Sequence, residues 1–130
     1  LMENTGDSLG LLLDSGHITY AGGDPMSVIA KHGTRIAHVH TKDVRLGVLK
    51  DAKNRNLSFL DSVLNGVFTV PGDGGIDYTA IFKALSQLNY QGWLVVEAEQ
   101  DPAIAHPLTY AKLGFNNIQQ FAQQAGLKLA

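Results

Sequence analysis

The sequence predicts an α/β fold of parallel strands joined by crossover helices. Three observations predict it. Short continuous apolar runs recur at Leu9–Leu13, Arg35–His40 and Trp93–Val96, the pattern of strands buried on both faces. Helix-periodic segments with capping signals separate these runs, and strands separated by helices require crossover connections and a parallel sheet. Each run also ends on a polar residue able to ligate or titrate: Asp14, His40 and Glu97.

Each element follows from local chemistry. The opening Leu1-Met2-Glu3-Asn4 reads as the tail of a helix leading into a strand, so the segment reads as a piece of something longer. After Asp14 comes an expected turn at Ser15-Gly16-His17, then the Gly22-Gly23 pair. Asp24-Pro25 is a helix start, an N-cap aspartate with proline at the first helical position. Val28 and Ile29 should face the core and Gly33 should end the helix. The second strand, RIAHVH, gives way to Thr41-Lys42-Asp43. Residues 43–65 carry mixed charges and a helix-like stretch, Phe59–Leu64. Val67–Val70 suits a short extended piece, and Pro71-Gly72-Asp73-Gly74-Gly75 a loop. Asp77 caps a helix with Ile81, Ala84, Leu85 and Leu88 at helical spacing. The closing helix follows the 101–107 loop, with Leu108, Ala111, Phe115, Ile118 and Ala122 as its expected apolar stripe.

Three strands make a poor closed sheet, whereas a complete eight-stranded α/β barrel takes roughly 250 residues. Residues 1–130 therefore read as a single segment, the last three or so βα units of a (β/α)8 TIM barrel. A small open α/β sheet is the competing architecture.

Composition narrows the function classes. With 45% apolar and 17% charged residues the chain suits one modest core. Ten Lys and Arg against twelve Asp and Glu give a net charge of −2, which offers no cationic field for nucleic acid. The absence of cysteine excludes thiolate nucleophiles and Cys-ligated zinc. No apolar run approaches the ~18 residues of a bilayer span. The expected setting is a soluble, cytoplasmic, globular segment with no membrane or nucleic-acid partner.

In parallel α/β sheets the carboxyl ends of the strands point to one face, where barrel enzymes place their sites. Asp14, His40 and Glu97 would then converge as a mixed oxygen and nitrogen ligand set for a divalent cation such as Mn²⁺, Co²⁺, Mg²⁺ or Zn²⁺. For any one of them a helix cap or a loop hydrogen bond is the commoner role, and the coincidence at three strands carries the reading. His17 should be aimed at the same face by the turn after Asp14. Lys42 lies within reach of a substrate oxygen, although a surface lysine is equally ordinary. Glu99, two residues past Glu97, should project to the same side and bind substrate or orient a ligand. His38 reads as a satisfied core histidine one layer deeper, and His32 and His106 as structural. Asp73 is a substrate-binding candidate within a glycine loop that lacks the context of a phosphate cradle. Arg45, Lys50, Lys53 and Arg55 read as a solvated helix face.

LLLDSGH (Leu11–His17), AGGDP (Ala21–Pro25), RIAHVHTKDV (Arg35–Val44), FTVPGDGGIDY (Phe68–Tyr78), GWLVVEAEQDP (Gly92–Pro102) and HPLTYAKLGF (His106–Phe115) together resemble the inosose dehydratase family. That family dehydrates 2-keto-myo-inositol (scyllo-inosose) in inositol catabolism and lies within the xylose isomerase-like TIM-barrel superfamily. The D-x-G-H and H-x-H-x-K-D elements indicate only the superfamily; PGDG-x-x-DY and VVEAEQDP are more particular. The resemblance implies one divalent metal, with Mn²⁺ or Co²⁺ foremost, held by Glu, Asp, His and Glu. Asp14, His40 and Glu97 take the last three places. The first glutamate would lie on an earlier strand, which nothing here supplies; Glu3 stands in the wrong context. The resemblance also implies a keto-cyclitol substrate, with His17 the first acid–base candidate and Lys42 and Glu99 following. Three strands with open edges should pair with another copy, so the segment alone is expected to self-associate.

Overall fold

A computed structural model describes residues 1–129. Its main sheet holds three parallel strands in the order β1 (Leu11–Asp14), β2 (Ile36–Thr41), β5 (Leu94–Val96). Between them run α1 (Ser15–Tyr20), α2 (Pro25–His32), α3 (Leu46–Asn54), α4 (Phe59–Leu64) and α5 (Tyr78–Gln87), and α6 (Pro107–Ala125) closes the chain. A two-stranded antiparallel pair, β3 (Asp43–Val44) with β4 (Phe68–Thr69), brackets the excursion that carries α3 and α4. The parallel pairing with helical crossovers is the predicted architecture.

Caps explain where the helices begin. Asp24 accepts from the Met26 and Ser27 amides with Pro25 next in line, and Asp77 accepts from Ala80, as expected at both sites. The predicted turn after Asp14 is instead a helix. Asp14 caps it by accepting the His17 amide at 2.8 Å, and Gly16 is buried rather than a breaker. The charged stretch after Val44 forms α3, with Leu49 and Ala52 inward and Lys50, Lys53 and Arg55 exposed as expected of a solvated helix face.

The core lies between one sheet face and the helices. Leu13 and Val39 point into it, against Ile29, Tyr78, Ile81, Phe82, Leu85, Ile118 and Ala122. Three apolar expectations differ from this packing. Leu12 in β1 is 48% exposed, Trp93 just before β5 is 76% exposed, and the three residues of β5 are only half-buried. Both strands are edges of the sheet among the described residues. On α6 the buried seam is Gly114, Ile118 and Ala122, while Leu108, Ala111 and Phe115 are exposed. Gly114 fixes the seam: a Cβ there would stand 2.6 Å from a Val96 methyl, so the helix approaches the sheet at that residue.

Candidate functional site

Register places the site. Asp14 pairs directly with His40, and His40 with Val95. Glu97 follows Val95 by two residues and so returns to the same face. One Asp14 oxygen caps α1; the other, Oδ2, lies 3.5 Å from His40 Nδ1. His40 Nδ1 is in turn 2.7 Å from Glu97 Oε2. Ligand atoms of all three residues fall within 4.8 Å of one another. The cap role and the cluster role of Asp14 are therefore compatible, one oxygen serving each.

Lys42 joins this cluster from the end of β2. It is only 1% exposed, not the surface lysine that its context equally allowed. Its Nζ lies 3.2 Å from Glu97 Oε2, 3.7 Å from Asp14 Oδ2 and 2.6 Å from His17 Nε2, and it donates to Glu99. Glu99 Oε2 is also 2.9 Å from His17 Nε2. His17 Nε2 cannot accept from Lys42 and donate to Glu99 at once, because a neutral imidazole nitrogen is either donor or acceptor. Lys42 Nζ, His17 Nε2 and Glu99 Oε2 thus stand within hydrogen-bond reach of one another, an arrangement suited to handing a proton to a ligand or taking one.

Burial tends to raise the Glu99 carboxyl, but hydrogen bonds and charge from Lys42 and His17 outweigh it and hold it below the usual carboxylate range. The backbone at Glu99 is left-handed, φ 45°, an uncommon conformation for a side chain of this kind and one found often at functional sites. A lowered folded-state value means that the stability from Glu99 is present above its ordinary 4.5 and is lost as pH falls through the folded value. Glu99→Gln is expected to flatten the acid limb of a plot of denaturation midpoint against pH, and an unchanged limb would remove this ion pair from the account.

The remaining candidates lie elsewhere. Asp73 accepts from Arg45 Nη2 and from Thr69 Oγ1, each at 2.6 Å, so its carboxylate is tied into the excursion rather than to the cluster. Arg45 is not part of a solvated face: it precedes α3 and also donates to Gly66 O, Phe68 O and Tyr110 OH. Charge spacing alone does not reveal this, because its partners lie at least 21 residues away. His38 is half-buried beneath His40, their ring centroids 5.2 Å apart, with no hydrogen bond to its ring among the described residues. Among the described residues it is therefore not the satisfied core histidine expected. His32 ends α2 and His106 stands exposed before α6. Glu3 pairs with Lys31, and Arg35 ties its segment to the amino end of β2, away from the cluster.

Asp43 has no assigned role in the sequence reading, yet it organises the glycine loop. Its Oδ1 accepts from Val44 and Ile76, and its Oδ2 from Gly72 and Gly74. Burial pushes its carboxyl up while the four amide donors pull it down, and burial prevails. The signal was present: a run of glycine amides needs an acceptor.

A divalent cation fits the Asp14–His40–Glu97 cluster. Glu97 Oε2 is buried without a partner in hydrogen-bond geometry, although His40 and Lys42 are near it. Three carboxylates (Asp14, Glu97, Glu99) face one ammonium, an excess of two negative charges that a dication would neutralise. Imidazole nitrogen with carboxylate oxygen suits first-row divalent metals.

The sequence profile of the family described as xylose isomerase-like TIM barrel matches residues 1–125. The chain belongs to that family. This xylose isomerase-like chain is 55% identical over its whole length to the rhizopine catabolism protein MocC of Rhizobium meliloti, of which it spans 40%. It is 50% identical over 123 residues to an inosose dehydratase of Clostridium botulinum (strain Eklund 17B / Type B), covering 94% of the chain and 41% of that protein. Among solved structures, a xylose isomerase domain protein from Planctomyces limnophilus superposes with a TM-score of 0.65 at 17% identity, over 96% of this chain and 42% of its own. A D-tagatose 3-epimerase-like protein gives 0.64 at 16% identity, over 97% and 39%. At those identities the superpositions show the barrel fold alone. The chain spans about 40% of the length of the curated relatives that it matches. No helix among the described residues is long and apolar enough to cross a membrane.

Proposed function

We propose that this chain carries three metal ligands and the proton-transfer groups of a metal-dependent hydro-lyase acting on a keto-cyclitol, with 2-keto-myo-inositol as the substrate. The observation that carries this reading is the meeting of two clusters, Asp14–His40–Glu97 and Lys42–His17–Glu99, through the buried ammonium of Lys42. The family and the likeness to inosose dehydratases support the choice of reaction.

A bound divalent ion, Mn²⁺ or Co²⁺ foremost, supplies Lewis-acid polarisation of a substrate oxygen. Asp14, His40 and Glu97 would hold it, with a further ligand from outside this chain. His17 removes the proton from the carbon beside the ketone, and that C–H electron pair forms the carbon–carbon double bond of the enol. As the enol oxygen gives up its proton and re-forms the ketone, the double-bond pair moves toward the next carbon and expels its hydroxyl. That hydroxyl leaves as water with a proton from Lys42 or His17, and tautomerisation of the resulting enol gives the dione. Glu99 orients both nitrogen groups and balances their charge.

Metal binding tests the first half of the reading. In the whole enzyme containing this chain, His40→Ala is expected to lose bound metal by elemental analysis, and a full metal complement would rule His40 out as a ligand. Product analysis tests the second half. Incubation with an inosose should yield a dehydrated, ultraviolet-absorbing dione. A redistributed ketose with no water lost would overturn the dehydratase reading in favour of an isomerase or epimerase.

A further inference from the structure

We propose that Phe68 and Gly16 are positioning residues, which together form the slot fixing the Lys42 ammonium against His17. The inference deepens the proposed function and rests on that reading. Lys42 has a long, flexible side chain, and holding it in one geometry needs walls as well as charge. Gly16 supplies one wall. A Cβ built there would meet Lys42 Cγ at 2.5 Å and its Cβ and Cδ at 2.8 Å, so the lysine stem fills the space that a larger residue would occupy. Phe68, fully buried at the start of β4, supplies the other. Its ring centroid lies 5.0 Å from Lys42 Nζ and 5.1 Å from the His17 ring, which stacks on it with the planes 13° apart.

One aromatic ring therefore touches both proton-carrying groups. A cation held over a π face is attracted by the ring's quadrupole, most strongly where water is excluded. The stacked contact sets the plane of an imidazole that is otherwise exposed. The backbone of Lys42 is anchored as well: Ser15 Oγ donates to Lys42 O at 2.9 Å, and Tyr78 OH lies 2.8 Å from that hydroxyl. Anchor, slot and ring fix different parts of the same side chain.

The test uses the whole enzyme, with phenylalanines carrying one, two and three ring fluorines incorporated at position 68. Fluorination drains the π face while leaving the ring nearly the same size. The expected result is a stepwise fall in kcat, reaching roughly tenfold with three fluorines, with KM and metal content unchanged. Gly16→Ala should act in the same direction by displacing Lys42, although alanine is the better helix former in α1. A flat kcat across the series, or a change confined to KM, would overturn the positioning role. If His17→Gln still abolishes turnover in that case, the proposed function stands and only this inference fails. If His17→Gln also leaves turnover intact, the reading of the site itself is wrong.

Discussion

Replacing His17 by Gln is expected to slow turnover of the whole enzyme by about 10²–10⁴-fold, the usual contribution of a positioned acid–base group. Glutamine approximates the reach of the imidazole and can still hydrogen-bond, so Lys42 and Glu99 keep a polar neighbour. It has no ring nitrogen to take a proton and give it back, the role proposed for the Nε2 that faces both Lys42 and Glu99. Metal content should not change, because the three clustered ligand atoms belong to Asp14, His40 and Glu97. The cap of α1 survives too, since it uses the backbone amide of residue 17. Steady-state kinetics with elemental analysis on the same sample checks both parts. Turnover close to that of the unmodified enzyme would remove His17 from the chemistry.

The largest effect on stability should come from Asp43→Asn. Four backbone amides converge on this carboxylate, two on each oxygen. An asparagine turns one acceptor into a donor and leaves two amides facing it, at about 1–3 kcal/mol for each buried group left unpaired. A loss of about 3 kcal/mol or more is therefore expected, a large part of the ~5–15 kcal/mol that holds a domain folded. Chemical denaturation measures it directly, and a midpoint shifted by less than a surface substitution's ~0.5 kcal/mol would show that the loop does not depend on this residue. The same change should loosen Asp73 and, through it, Arg45, because both hang on the loop that Asp43 clamps.

Asp43 also marks where sequence reading reaches its limit. The Pro71–Gly75 segment is a loop on any inspection, and its glycines advertise backbone close to something. What that something is depends on a carboxylate at least 29 residues earlier, brought there by the antiparallel pair β3–β4. Gly16 shows the same limit from the other side. Read locally it breaks structure; in the fold it is helical, and Lys42 occupies the room it leaves.

Strand–helix order, the caps at Asp24 and Asp77, and the polar residues that end the three strands are legible in the chain alone, because each is written in neighbours a few positions apart. Three-dimensional packing is what buries Lys42, turns Arg45 inward, leaves Leu12, Trp93 and Phe115 exposed, and sets one nitrogen of His17 against both a lysine and a glutamate. Those facts follow from which distant segments pack together, and burial and charge pairing are properties of that packing, not of local pattern.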